Sequence, residues 1–375
     1  MDNNIEEIKE KTVSGLFWRF GERITAQLIS FVVSIVLARI LMPEEYGIIA
    51  MVSIFITIAN VFVTSGLGTS LIQKKDADDL DFSTMFHANI AISIIFYILV
   101  FMFAPMIANI YHNELLISVV RVMGIRIPIA AINSIQQAYV SKKMIYKKFF
   151  CATLFGTIVS AFVGIYMAIK GYGVWALVAQ YLCNSMIDTI VLFITLKWKP
   201  KLMFSFKRFK SLFSYGWKIT VTALIGTIFD QLRNFVIGAK YTSSDLAYNN
   251  KGEQFPNLIS NNINSTIESV LFSAISKVQD NDSSVKKAIS RLMKISSFII
   301  MPMLFGLIAV ADTLVSILLT DKWLPCVPFL RVVCIQQCFS ILNSANLQAI
   351  KAVGRSDTLL KLEFIKKPIY LIMIA

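Results

Sequence analysis

Ten long apolar runs dominate this sequence, and each is long enough to cross a membrane as a helix. Spanning the roughly 30 Å hydrocarbon core of a bilayer takes about 20 mostly apolar residues. The runs cover residues 20–41, 46–67, 84–108, 116–139, 149–169, 173–196, 212–238, 254–276, 292–318 and 326–350. An eleventh begins near residue 359, but its apolar end, PIYLIMIA, is too short to span. The runs predict an all-α, polytopic membrane protein.

Composition supports the same class of protein. The chain is 56% hydrophobic and 16% charged, whereas soluble domains are roughly 45–50% apolar and about 25% charged. The N-terminal stretch MDNNIEEIKEKTVSG is acidic and lacks the short apolar segment and small-residue cleavage site of a secretory signal. We therefore expect the first long apolar run to stay in the membrane.

Lysine and arginine are concentrated on one side of the predicted membrane. The connections on that side cover residues 1–23, 74–81, 141–148, 197–210, 277–294 and 351–367. They hold 26 of the 36 basic residues, whereas the opposite connections, which include Lys240 and Lys251, hold 5. Because basic residues accumulate on cytoplasmic loops, we predict a cytoplasmic N-terminus. The same bias explains the net charge of +13 without a nucleic-acid partner.

A weak internal repeat indicates two halves. The segments GLFWRFGERIT and LARILMPEEYG near the first run resemble SLFSYGWKIT and IGAKYTSSDLA, which come about 200 residues later, after six helices. An even number of intervening helices makes the repeats parallel. We predict two six-helix lobes, residues 1–210 and 211–375, of which the second is C-terminally incomplete.

Catalytic and metal-binding patterns are missing from the sequence. No Gly-rich phosphate loop, nucleophile elbow or acid dyad occurs, and the longest predicted connections are short. The five Cys and the two His, His87 and His112, do not have zinc-site spacing. We expect a protein that is not an enzyme and that holds no metal.

The eighth run contains a polar stretch, NKGEQFPNLISNNINSTIESVLFS, starting at residue 250. Its polar residues recur at steps of three and four and so share one helix face: Glu253, Asn257, Ser260, Asn261, Asn264, Ser265 and Glu268. Each unsatisfied polar group facing lipid would cost several kcal/mol. Interhelical hydrogen bonds could account for one or two of these residues. The whole row favours a wall of a water-filled path, with side chains that suit sugar hydroxyls.

Ionisable residues within the runs mark a functional path by default. They are Arg121, Arg126, Asp188, Lys218, Asp230, Arg233, Glu268 and Arg331. Lys218 and Arg331 could instead snorkel from helix ends, and Asp230 and Arg233 could form a structural pair. An arginine fork binds two oxygens of a pyrophosphate.

Several segments resemble one transporter family. They are ARILMPEEYGIIAMVSIF, FVTSGLGTSLIQKK, DFSTMFHANI, YNNKGEQFPNLISNNINSTIESVLFSAISKVQ and LLTDKWLPCVPFLRV. Together they resemble the polysaccharide-transport family of lipid-linked oligosaccharide (O-antigen) flippases, in the branch of colanic-acid-like exopolysaccharides. Ser273 and Asn249 depart from the Pro and Tyr usual in this family, and the missing Pro puts a helix break there in doubt.

The resemblance implies a two-lobed helical transporter with a central cavity in the bacterial inner membrane. It would move undecaprenyl-pyrophosphate-linked oligosaccharides from the cytoplasmic to the periplasmic leaflet for exopolysaccharide or lipopolysaccharide biosynthesis. A proton or sodium gradient, rather than a bound cofactor, would supply the energy, and a polysaccharide polymerase would be a partner. The alternative is a multidrug exporter of the same superfamily, although cationic drugs favour acidic pockets.

Two sets of site residues follow from these arguments. The predicted substrate-binding residues are Arg121, Arg126, Lys218, Arg233, Asn257, Asn261 and Asn264. In particular, Arg121 and Arg126 would hold the pyrophosphate while the amides contact the sugars. The candidate residues for ion coupling are Asp188, Asp230 and Glu268.

Overall fold

A computed structural model describes residues 18, 21, 24–276, 282–352 and 356–374. Its helices are α1 Ile24–Ile40, α2 Pro43–Thr64, α3 Leu67–Gln73, α4 Asp79–Ile110, α5 Leu115–Met123, α6 Arg126–Lys143, α7 Tyr146–Ile169, α8 Val174–Thr195, α9 Phe206–Lys240, α10 Ser243–Ser276, α11 Asp282–Ala309, α12 Ala311–Leu319, α13 Val327–Ala352 and α14 Ser356–Ile374, with a 3₁₀ helix at Asp321–Cys326. The chain forms two compact units, Met1–Ser243 and Ser244–Ala375.

Six helical stretches of the first unit are long and apolar enough to cross a membrane. They are Pro43–Gln73, Asp79–Ile110, Leu115–Lys143, Tyr146–Ile169, Val174–Thr195 and Phe206–Lys240. They confirm the second to seventh predicted runs, and the shorter α1 lies within the first. The chain is a multi-pass membrane protein.

Two of these stretches are broken, which hydropathy alone does not reveal. The first break, at Ser65 and Gly66, separates α2 from α3. The second separates α5 from α6 at Gly124 and Ile125. Pro128 has no N–H to donate to the carbonyl of Gly124, four residues earlier, so the helix cannot run through this point without losing a hydrogen bond. Arg126 therefore becomes the first residue of a new helix.

The three described basic connections of the first unit meet at one end, which we call the basic end. The Lys142 Nζ donates to the carbonyl of Ile72 at 3.0 Å. The Lys201 Nζ donates to Asp79 at 2.8 Å. Residues 74–78, 144–145 and 196–205 are thus neighbours, as the alternation of the predicted spans requires.

An acidic cluster at the start of α4 pairs with the cations of the basic end. It consists of Asp78, Asp79 and Asp81. The Asp81 side chain is fully buried; it accepts a hydrogen bond from Lys74 at 2.6 Å and forms an ion pair with Arg208 at 3.0 Å. Arg208 also contacts Asp78 at 2.7 Å. The pKa of Asp78 lies below its usual value, chiefly because the carboxylate accepts a hydrogen bond from the backbone N–H of Asp81, with Arg208 adding to the effect. The cluster ties the first turn of α9 to α4.

Replacing Asp81 by asparagine is expected to lower the free energy of unfolding by about 3 kcal/mol, because removing one partner of a buried ion pair leaves uncompensated charge. The matched control is Asp79→Asn, since the Asp79–Lys201 pair is more than half exposed on both sides and should contribute at most about 1 kcal/mol. Thermal unfolding in detergent measures both variants. If both variants lose the same stability, burial of the Asp81 ion pairs does not add to the stability of the protein.

Helix α9 packs along the first unit. At one point a Cβ on Gly66 would lie 2.3 Å from the carbonyl oxygen of Gly216 and 2.2 Å from the hydroxyl of Thr220. Further along, the Phe235 ring contacts Phe55 and Tyr111, with centroids 6.3 and 6.1 Å apart. The compact units divide after this helix, whereas the repeat places a boundary before it, at residue 210.

Helices of the second unit cover the remaining predicted runs, but among the described residues only the ninth is long and apolar enough to span, and only as a bent pair. The ninth is bent by 71° where α11 meets α12, and the tenth coincides with α13. Trp323 of the 3₁₀ helix is fully buried and contacts Tyr248 edge-to-face, with ring centroids 6.1 Å apart. Arg331 forms an ion pair with Asp312, and both side chains are exposed.

Candidate functional site

A polar cavity of about 380 Å³ lies within the first unit. Four segments form its wall: the end of α2, α3, α6 and α8. Helix α6 contributes a face whose residues recur at steps of one and three, namely Arg126, Ile129, Ala130, Asn133, Ser134, Gln137, Ala138 and Ser141. At about 1.5 Å per residue, this face extends over about 22 Å towards the basic end. The cavity is therefore an elongated slot along α6.

Arg126 lies at the end of the cavity that is farthest from the basic end. Its Nε donates to the Ser185 hydroxyl of α8 at 3.3 Å. Its guanidinium carbon lies 5.2 Å from the centroid of the Tyr181 ring. Among the residues that the structure describes, no carboxylate forms an ion pair with Arg126. A guanidinium held by a hydroxyl and an aromatic face can still bind an anion in its fork.

Amides and hydroxyls connect α6 with α8 along the slot. The Asn133 amide donates to the Thr189 hydroxyl at 3.2 Å, and the Gln137 amide donates to the Asn133 side-chain oxygen. The Thr189 hydroxyl in turn donates to the carbonyl of Ser185 at 2.8 Å. Asn184 also lines the cavity. Such groups carry both donors and acceptors, which is what a sugar hydroxyl requires.

Asp188 is the acidic residue of the cavity wall. A Cβ on Gly156 would lie 1.9 Å from its carboxylate oxygen, so only glycine leaves room for this side chain against α7. Asp188 follows Ser185, the partner of Arg126, by one helical turn, and no ion pair joins Asp188 to Arg126 in the described part of the chain. The cavity wall thus carries one cation and one anion that are not paired with each other.

The structure places Arg121 differently from Arg126. The Arg121 guanidinium lies over the Phe101 ring of α4, 4.4 Å from its centroid, and Arg121 does not line the cavity. The two arginines lie on either side of the helix break, on α5 and α6. Of the two arginines predicted to hold the pyrophosphate, Arg126 lines the cavity and Arg121 does not.

The ionisable residues of α9 lie outside this cavity. Lys218 and Asp230 are exposed, and Arg233 is half-buried. Asp230 and Arg233, which the structure describes, form no ion pair with each other.

The polar face of α10 is described only in part. Asn257 accepts a hydrogen bond of 2.6 Å from the Gln337 amide of α13, which is the interhelical bonding that the sequence left open. Asn261, Asn264 and Glu268 lie outside the residues whose side chains the structure describes. Lys251, which the sequence placed in a connection, is instead buried within α10, 5.6 Å from the centroid of the Trp323 ring.

The uncharged polar residues of α6 and α8 that line the cavity were missed by the sequence reasoning. A signal for them existed, because Asn133, Ser134, Gln137 and Ser141 follow Arg126 at helical spacing. They were overlooked because they fall in a run that is apolar on average, whereas the stretch in α10 is visibly polar.

Comparisons with known proteins agree with this architecture. The family described as "Polysaccharide biosynthesis protein" matches residues 36–328. The teichuronic acid biosynthesis protein TuaB of Bacillus subtilis (strain 168) is 24% identical over 355 residues, which cover 93% of this chain and 73% of TuaB. The lipopolysaccharide biosynthesis protein WzxC of Escherichia coli (strain K12) is 23% identical over 372 residues, 96% of this chain and 73% of WzxC.

Solved transporter structures share the fold. The lipid II flippase MurJ, in an inward closed conformation, matches with a TM-score of 0.71 over 91% of this chain and 76% of MurJ, at 15% identity. An inward-facing multidrug resistance MATE transporter of the MOP superfamily matches with a TM-score of 0.65 over 88% of this chain and 82% of the transporter, at 12% identity. These likenesses confirm the predicted all-α transporter fold.

Proposed function

Because this chain belongs to the family of polysaccharide biosynthesis proteins, we propose that it flips lipid-linked oligosaccharides across the bacterial cytoplasmic membrane. The substrate is an undecaprenyl-pyrophosphate-linked repeat unit, which moves from the cytoplasmic to the periplasmic leaflet for exopolysaccharide or lipopolysaccharide assembly. The observation that carries the proposal is the slot itself. A guanidinium at one end and a row of amides and hydroxyls along the wall suit an anionic sugar conjugate.

The proposed direction of transport depends on orientation. The basic end carries Lys142, Lys148, Lys201 and Arg208, and basic residues favour the cytoplasmic side. We therefore place the basic end in the cytoplasm, so that the slot extends from the cytoplasmic side towards Arg126. A polysaccharide polymerase on the periplasmic side would consume the product.

Orientation is tested by labelling single cysteines in a cysteine-free background. A cysteine at Lys143, at the basic end, and one at Lys240, at the other end of α9, should react with a membrane-impermeant maleimide from opposite sides of the membrane. The reason is the charge bias of the connections, 26 basic residues against 5. Labelling of both positions in intact cells with a permeable outer membrane would contradict the proposed orientation.

Energy coupling is assigned to Asp188 as the first candidate. It shares the slot with Arg126, so binding a proton or a sodium ion there changes the charge that a substrate anion meets. Asp230 and Glu268 are the other candidates. Transport driven by an imposed proton gradient or an imposed sodium gradient identifies the ion.

The function is tested with the purified protein in liposomes. The substrate is a lipid-pyrophosphate oligosaccharide with a fluorescent glycan, and a membrane-impermeant quencher reports how much of it lies in the outer leaflet. Transport faster than that of a fluorescent phosphatidylcholine is the expected result. A protein that moves both lipids equally is not a selective flippase, and transport of a cationic dye alone would favour the multidrug exporter.

A further inference from the structure

The connection from α8 to α9 and the first turn of α9 expose large apolar side chains. We call residues 197–210 the basic strip. The side chain of Leu202 is 98% exposed, that of Phe206 is 68% exposed and that of Phe204 is 54% exposed. Leaving such side chains in water forgoes about 1.5–3 kcal/mol each. The strip therefore needs an apolar environment that the described residues do not provide.

The backbone of the strip is fixed, so this exposure does not come from an unanchored loop. Trp198 is buried and stacks on Tyr139, with ring centroids 5.7 Å apart. The N–H of Lys201 donates to the Ser83 hydroxyl at 3.1 Å, and the N–H of Ser205 donates to the Thr84 hydroxyl at 3.2 Å. These bonds hold the strip against α4, and the intervening apolar side chains point outward.

The strip combines these side chains with positive charge. Two of its cations, Lys201 and Arg208, are neutralised by the acidic cluster of α4. Lys197, Lys207 and Lys210 are exposed, and within the part of the chain that the structure describes they form no ion pair. The unneutralised charge calls for an anionic partner beside the apolar one.

We propose that the basic strip lies in the headgroup region of the membrane and binds anionic phospholipids. Leu202, Phe204 and Phe206 would enter the acyl region, as the apolar face of an interfacial segment does. Lys197, Lys207 and Lys210 would contact lipid phosphates, because lysines attract anionic headgroups and keep their charge at the interface. This lipid is a partner separate from the transported substrate.

Insertion is tested with bimane attached at Leu202→Cys in a cysteine-free background, reconstituted in liposomes. Lipids brominated on their acyl chains quench a probe only at close range. The matched control is Asp76→Cys, an exposed polar position at the same end. We expect quenching at residue 202 and little at residue 76. If quenching at residue 202 does not exceed quenching at residue 76, the strip does not insert into the membrane, and its apolar side chains would instead suit a protein partner.

Headgroup preference is tested by placing the bromine on phosphatidylglycerol or on phosphatidylcholine at equal mole fraction. Each lysine near an anionic surface contributes about a fivefold enrichment, so brominated phosphatidylglycerol should quench the probe several times more strongly. High salt should reduce the difference. Equal quenching by the two lipids would contradict the proposed preference for anionic phospholipids.

A second measurement needs no cysteine replacement. Native mass spectrometry counts the phosphatidylglycerol molecules that the unlabelled protein retains. Lys207→Gln with Lys210→Gln should lower this number, whereas Lys75→Gln with Lys143→Gln, the same charge change at the same end, should not. If both double variants lose the same number of phosphatidylglycerol molecules, binding depends only on general surface charge, which would contradict the proposal.

Discussion

Replacing Arg126 by alanine is expected to lower glycan transport by about 10- to 150-fold. The guanidinium lines the slot, is held by Ser185 and the Tyr181 ring, and forms no ion pair within the described residues. It is therefore available to an anionic substrate. One hydrogen bond to a charged group contributes roughly 1.5–3 kcal/mol, which corresponds to that range. Export of the glycan in a complementation assay, normalised to membrane abundance by immunoblot, measures the effect.

Two further variants separate charge from geometry. Arg126→Lys keeps the charge but loses the two-pronged fork, so partial activity is expected. Arg121→Ala removes the same charge from the neighbouring helix, where the guanidinium lies on Phe101 outside the slot. It should act mainly through stability, by about 0.5–1 kcal/mol for the lost cation–π contact. Full export by Arg126→Ala at normal abundance would remove this residue from the substrate path.

Replacing Gly66 by alanine is expected to destabilise the first unit by about 1–3 kcal/mol or more, the usual cost of overpacking. The added Cβ would lie 2.3 Å from the backbone oxygen of Gly216, and backbone cannot move aside as a flexible side chain does. Helix α9 must then shift away from α3. A melting temperature lower by about 2–12 °C should follow, at about 2–4 °C per kcal/mol for a unit of this size.

The same helix provides the control for this prediction. A Cβ added at Gly226 would have no atom within 4 Å, so Gly226→Ala should leave the melting temperature unchanged or raise it slightly through helix propensity. Gly216→Ala, whose Cβ would lie 2.9 Å from the Gly66 oxygen, should fall between the two. If Gly66→Ala and Gly226→Ala melt alike, close packing at the crossing is not what holds α9.

Local properties of the sequence were sufficient to predict the membrane class and most helices. Length and hydropathy placed the spans because a helix in lipid satisfies its own backbone hydrogen bonds, whatever its neighbours are. The grouping of the basic connections at one end was also predictable, because successive spans cross in opposite directions and every second connection lies on the same side. The segments that resembled the flippase family indicated the fold that the comparisons confirm.

Breaks within a membrane-spanning stretch were harder to predict, because the mean hydropathy of the whole stretch does not show them. Pro128 marked the break before Arg126, yet the run 116–139 remained apolar enough to be treated as one helix. The polar face of α6 was hidden in the same average. A reading of helical spacing within the run, rather than of its mean hydropathy, could have found Asn133 and Gln137.

Tertiary structure alone decided which charges share a site. Arg121 and Arg126 look equivalent in the sequence, but Arg126 donates a hydrogen bond to Ser185 of α8, 59 residues away, whereas Arg121 lies over the Phe101 ring of α4. The glycine contact that joins α9 to the first unit likewise brings together residues 150 positions apart, Gly66 and Gly216. Such pairings depend on how helices pack against one another, and neither hydropathy nor charge at single positions carries that information.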